Sequence, residues 1–501
     1  MGTLKRREFL QTSALALGGA FLTSRLAFAR TGSAKSRFVF IVMRGALDGL
    51  AAAPPYGDPD YAGLRRELAL KAPGSPGGAL PLNGFFGLHP SFGFLHDAYS
   101  ARELVVFHAV ASPYRERSHF DGQDVLENGS LQPHAVQTGW LNRALASLQV
   151  GQRKDLGVAL GQNFPLVMRG PASVTSWSPS KLAALDEDTL ERITDLYAGD
   201  PLLASRLADA LAADAIAGGT AEQAMQAAAV PATQVAGERA MQVAAVPASA
   251  APVAAGLGSA ARDMAGSAAT SGSRDSGVAV AGGARAGRAG PGAMQVAGDA
   301  RASNRRLDIA ATDDMRAGQA NQPLLQRGKP MRYTEVVRAA AGFLRRDDGP
   351  QVAVFDTTGW DTHANEGSAE GQLAGRLAAL DAGLRTLKDE LGPAWANTAV
   401  LLATEFGRTA ATNGTRGTDH GTATTAFLLG GAVQGGRVLA DWPGLSSRSL
   451  YQGRDLKPTA DLRSVLKGVL SEHLLVSSSA LESSVFPNST DARPIKGLFR
   501  A

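Results

Sequence analysis

The chain reads as an α/β protein, a three-layer α/β/α sandwich around a mostly parallel sheet. Two patterns predict this. Short, almost wholly apolar runs recur at Arg37–Met43, Leu104–Val110, Gln351–Asp356, Thr398–Thr404 and Thr424–Leu429, and runs without polar alternation belong to strands covered on both faces. Between the third and fourth runs, Leu373, Leu377, Leu380, Leu384 and Leu387 recur at three- and four-residue spacing within Gln372–Glu390, the stripe of an amphipathic helix. Helices alternating with buried strands must cover the sheet on both sides.

In chain order, the first element is an export signal. Lys5-Arg6-Arg7-Glu8-Phe9-Leu10 sets a twin arginine before a mildly apolar run, and Ala27-Phe28-Ala29 closes it with small residues at cleavage spacing. Residues 1–29 are therefore expected to be a twin-arginine signal and the protein to be periplasmic or otherwise exported. A membrane anchor is the competing reading, but the uncharged stretch between Glu8 and Arg25 is shorter than the ~20 apolar residues a bilayer requires. No transmembrane helix is expected in the mature chain.

The first strand, Arg37–Met43, stops at Arg44-Gly45, and the second, Leu104–Val110, leads through a polar turn to a helix opened by Ser118. Asp186–Ile216 and Tyr333–Arg345 carry helical patterning. Between them, residues 218–321 lose nearly all aromatics and fill with Ala, Gly, Ser, Val and Gln, with repeated fragments such as Ala224-Met225-Gln226 and Ala240-Met241-Gln242. That composition buries too little large apolar surface to offset backbone ordering entropy, so a disordered insertion is expected. Residues 30–217 and 322–501 would then form one domain. The fifth strand ends at Gly430-Gly431.

The absence of cysteine removes disulfides, thiolate nucleophiles and sulfur ligands, so any metal must be held by oxygen and nitrogen. The formal charge of +4 shrinks to near +1 once Lys5, Arg6, Arg7 and Arg25 are set against Glu8 and removed with the leader. Nothing there suggests a nucleic-acid partner. No phosphate-cradling glycine-lysine loop or dinucleotide fingerprint follows a strand, so ATP, GTP and NAD are not indicated.

In open α/β sheets ligands bind beyond the carboxyl ends of the strands, and polar clusters gather there. Asp48 follows the first strand, Ser118 with Asp121 and Asp124 the second, Asp356 and then Asp361 with His363 the third, and Glu405 the fourth. Asp419 and His420 precede the fifth strand, so they join only if it runs antiparallel or their loop folds back. Hard divalent cations need several anionic oxygens with a nitrogen or two, which makes these clusters candidate metal ligands. Zinc, manganese, magnesium and calcium are not distinguishable at this level.

Each cluster has a plainer explanation. Asp48 suits a turn aspartate bonding its own backbone. Ser118 with Asp121 is a helix-capping pattern, or else Ser118 is a nucleophile at a helix N-terminus with Arg115 and Arg117 clamping an anion. Asp361 and His363, two apart on an extended segment, point the same way. Glu405 ending an apolar strand is costly unless paired, and Arg408 is a candidate partner. The loop ending in Asp419-His420-Gly421 could simply be a flexible surface loop.

Taken together, Arg44-Gly45 through Asp48-Gly49-Leu50, Ser118-His119-Phe120-Asp121, Gly359-Trp360-Asp361-Thr362-His363-Ala364-Asn365, Thr404-Glu405-Phe406-Gly407-Arg408 and Gly417-Thr418-Asp419-His420-Gly421 resemble an exported bacterial family, domain of unknown function 1501. That family is similar in turn to the alkaline phosphatase and sulfatase superfamily. The resemblance implies an alkaline phosphatase-like fold with one or two divalent metals. It makes Asp48, Asp361, His363, Glu405, Asp419 and His420 the ligands and puts Ser118 in the nucleophile's place. Two departures stand out: Glu405 replaces the usual aspartate before an adjacent histidine, and Asp361 and His363 are closer than the usual spacing. The implied function is a metal-dependent hydrolase of phosphate or sulfate esters, on a small-molecule or polymer substrate. The alternative is a non-catalytic exported protein of the same fold with a structural metal or a binding role.

Overall fold

The computed structural model describes residues 35–148, 156–179, 187–197, 200–218 and 333–500. The export signal and nearly all of the expected insertion lie outside these residues.

The strands are β1 (Arg37–Arg44), β2 (Leu80–Pro81), β3 (Gly87–Leu88), β4 (Leu104–Ala111), β5 (Gly157–Leu160), β6 (Val174–Trp177), β7 (Val352–Thr358), β8 (Thr398–Ala403), β9 (Thr424–Leu429), β10 (Arg437–Leu439) and β11 (Ala460–Asp461). Nine of them form one mixed, mostly parallel sheet in the order β10-β4-β9-β8-β1-β7-β5-β6, with β11 also on β4, while β2 and β3 pair separately. All five predicted strands are present. The short β5, β6, β10 and β11 have no apolar run long enough to announce them in sequence.

β1 lies between β7 and β8 and is parallel to both. Its alternate residues divide between two cores. Val39, Ile41 and Met43 pack on one face with helices Gly93–Ser100, Tyr333–Leu344 and Gln372–Leu391. Phe38, Phe40 and Val42 pack on the other with helices Trp140–Ser147 and Leu462–Glu472. This two-sided burial is why the strand is apolar at every position. In Gln372–Leu391 the predicted leucine stripe is the buried face. The segment read as one helix from Asp186 is two, Glu187–Tyr197 and Pro201–Gly218, because Pro201 has no N–H to continue a helix but fits a first turn.

β9 runs antiparallel to both β4 and β8. Its start therefore lies at the edge where β8 ends, and Asp419 and His420 reach the rim shared by the loops after β1, β4, β7 and β8. Among the described residues no helix is long and apolar enough to cross a membrane.

Candidate metal centre

Three imidazoles converge on one carboxylate oxygen. His119 opens helix His119–Asn128 after β4, His363 follows β7, and His420 precedes β9. Their Nε2 atoms lie 3.5, 3.0 and 3.1 Å from Asp361 Oδ1, respectively. His420 Nε2 is also 2.9 Å from His119 Nε2 and 3.0 Å from His363 Nε2.

The other nitrogen of every ring is occupied. His119 Nδ1 is 2.8 Å from Glu405 Oε1, His363 Nδ1 is 3.3 Å from Asp419 Oδ1, and His420 Nδ1 is 3.0 Å from the Arg117 carbonyl oxygen. A carboxylate or carbonyl on Nδ1 fixes the tautomer with its proton there. The Nε2 lone pairs then face one another and a carboxylate, an arrangement that repels itself unless positive charge sits among them. An ion bound by imidazoles at 2.0–2.1 Å in tetrahedral geometry holds its ligand atoms roughly 3.3 Å apart, close to the spacings here. His119, Asp361 and His420 thus form a group able to hold a metal ion, with His363 beside it.

The electrostatics agree with a site that collects positive charge. Burial alone would lower His119, but its bonds to Asp361 and Glu405 outweigh that and raise it to about 9. Burial would push Asp361 up, yet the bonds from the three histidines and the Arg408 guanidinium hold it far below the usual carboxylate range. Glu405 is likewise held down against its burial by His119 and Gln123, and Asp419 by Asn413 and His363.

Glu405 is fully buried and saturated. Oε1 accepts from Gly45 N–H at 2.8 Å and from Gln123 Nε2 at 3.1 Å besides His119, and Oε2 accepts from the Thr404 hydroxyl at 2.8 Å. This is how a charged group can end an apolar strand. Its partner is not Arg408, which binds Asp361 and Thr418 instead.

Of the expected ligands, Asp361, His363 and His420 meet, whereas Glu405 and Asp419 stand behind imidazoles and orient them. Asp48 is placed elsewhere. Its carboxylate caps the helix Gly49–Ala52 through Leu50 and Ala51 N–H and pairs with the fully buried Arg65, so the turn explanation and an ion pair account for it together.

The other expected residues are engaged outside the cluster. The Arg115 guanidinium donates to the Ser112 and Tyr114 carbonyls. Arg117 binds Asp455 and Gln452 and serves the cluster only through its carbonyl. Asp356 pairs with Arg44 at 2.6 Å, and Asp124 lies 3.3 Å from His134. Ser118 is the N-cap residue but makes no side-chain cap bond, and Asp121 accepts from the Tyr114 hydroxyl at 3.4 Å.

His119 is the member of this cluster that was not among the residues expected to bind metal. It adjoins Ser118, whose capping pattern with Asp121 accounts for the helix start without it. A histidine at a helix start directly after a strand was the available signal.

Comparison with known families matches residues 89–482 to a family described as protein of unknown function (DUF1501). The chain belongs to the DUF1501 family. The match spans the loops bearing His119, Asp361, His363, Glu405, Asp419 and His420, though not β1. No curated protein and no solved structure matches the chain.

Proposed function

We propose that this DUF1501 protein is an exported metal-dependent hydrolase, with phosphate or sulfate esters as its substrate class. The observation that carries the reading is the convergence of three Nε2 atoms on Asp361 Oδ1, each ring braced through Nδ1. His119, Asp361 and His420 would hold the ion with His363 as a fourth donor, and an imidazole-rich set favours a zinc-class transition metal over magnesium or calcium. Such an ion supplies Lewis acidity and a lowered pKa for an attacking water.

The chain's own residues do the rest. Glu405, Asp419 and the Arg117 carbonyl aim the rings, and Arg408 holds Asp361 from below. The cluster is open to a substrate, since Asp361, His363 and Asp419 side chains are 40%, 45% and 49% exposed. Ser118, next to His119 and free of a capping bond, keeps the nucleophile's place. The ester class and the alkaline phosphatase-like reading of the fold rest on the motif resemblance, and export rests on the twin-arginine pattern.

Metal analysis of the purified protein, with a screen of aryl phosphates, phosphodiesters and aryl sulfates, tests the proposal. Turnover lost on chelation and in Asp361→Ala supports it, and Ser118→Ala separates serine attack, which it abolishes, from water attack, which it spares. A tightly held ion without turnover on any ester would sink the hydrolase reading and favour the non-catalytic alternative.

A further inference from the structure

Beneath the histidine cluster lies a second charged group made of Asp48, Arg65 and Glu366, with side chains 1%, 0% and 0% exposed. Glu366 Oε2 accepts from the Thr362 hydroxyl at 3.0 Å and from the Thr418 hydroxyl at 2.7 Å. Thr362 lies between Asp361 and His363, and Thr418 directly precedes Asp419 and His420. One carboxyl oxygen therefore ties the two loops that carry three of the four converging groups.

The other oxygen poses a problem of charge. Glu366 Oε1 is buried without a hydrogen-bond donor, its nearest Arg65 nitrogen is 3.6 Å away, and the Asp48 carboxyl lies within bonding reach. Two carboxylates facing each other away from water, with a single guanidinium between them, leave an uncompensated buried negative charge. One proton between them removes it and provides the missing donor.

We propose that Glu366 is a positioning residue for the metal centre: in its protonated form it clamps Thr362 and Thr418 and so sets the spacing of Asp361, His363 and His420. The groups facing it are Asp48, Arg65 and the Tyr61 hydroxyl with the two threonines. Burial and Asp48 together push the Glu366 carboxyl up, while Arg65 overcomes burial to hold Asp48 down. The proton therefore resides on Glu366. This inference rests on the cluster binding a metal, and its test contains a readout that does not.

Glu366→Gln is the isosteric copy of the protonated side chain: its oxygen accepts from both threonines and its NH2 donates to Asp48. Glu366→Ala and Thr418→Val remove the clamp in whole and in part. Zinc affinity by chelator competition is expected to stay within about threefold of wild type in Glu366→Gln and to fall about 10–100-fold in Glu366→Ala, with Thr418→Val between them. Across pH from about 4.5 to about 8, Glu366→Gln should melt progressively higher than wild type, since a carboxyl raised in the fold loses its stabilising protonation over that range.

Should wild type bind no zinc, the metal reading fails by itself. The His363 and His420 ring resonances then read the clamp, unmoved in Glu366→Gln and shifted in Thr418→Val. Glu366→Gln behaving like Glu366→Ala, or clamp-free variants matching wild type in affinity and ring resonances, overturns the proposal.

Discussion

At the scale of single residues, a histidine in this centre is defined by its two nitrogens. His119, His363 and His420 each spend Nδ1 on an oxygen and turn Nε2 inward. Removing Asp361, the oxygen at the meeting point, should weaken zinc binding by at least roughly 100-fold, while Glu405→Gln, which only loosens His119, should cost about 10–100-fold. Isothermal titration ranks the two, and equal losses would contradict the division into ligands and braces. Because His119 is raised to about 9, an ion must displace a proton at neutral pH. Zinc affinity should therefore climb about tenfold per pH unit from 7 toward 9 and level off above, with close to one proton released per ion when the binding heat is compared between buffers. All three carboxylates were legible as candidates in the sequence: Glu405 as a costly charge at the end of an apolar strand, Asp361 by its spacing to His363, and Asp419 beside His420 after a glycine-rich loop. Which of them faces inward was not, since that depends on contacts distant in the chain, such as the Gly45 N–H and Gln123 amide that hold Glu405 behind His119.

At the scale of elements, the loops meet because glycines let them approach. Gly45 at φ +116° directly follows β1, and a Cβ there would sit 2.9 Å from the Asp361 backbone nitrogen. Gly45→Ala should both strain the turn and push Asp361 from the cluster, lowering Tm and zinc affinity together. A variant that loses stability with affinity intact would show that the two loops are not coupled there. The elements also hold histidines with no part in the centre. Burial pushes His108, on β4, and His473, just past helix Leu462–Glu472, down to about 4 each. A histidine lowered in the fold stabilises it fully above its ordinary value near 6.5 and loses that contribution as pH falls from there to about 4, on the order of 3 kcal/mol per group. Urea midpoints should drop across that window, and His473→Gln should flatten the drop. The long strands and the leucine-striped helix were readable from periodicity alone. The direction of β9 was not, because the composition of Thr424–Leu429 fits parallel and antiparallel pairing alike, and that direction decides whether His420 reaches the rim.

At the scale of the whole molecule, the centre joins segments that share little local chain. An ion that binds only the folded state stabilises it by about 2.7 kcal/mol at a hundredfold excess over Kd. Added zinc should therefore raise Tm in wild type and leave Asp361→Ala unmoved, and an equal rise in both would place the bound ion elsewhere. The α/β class was legible because every long strand is two-faced, whereas the braces behind the imidazoles, such as the Arg117 carbonyl, leave no trace in residue type. The position of β1 has a consequence for how the protein is made. This strand emerges first, yet both of its neighbours come late: Arg44 and its partner Asp356 are 312 positions apart, and β8 follows later still. During synthesis the apolar ribbon Phe38–Met43 therefore cannot take up its native pairing until β7 and β8 have left the ribosome, so this sheet closes around its first strand late.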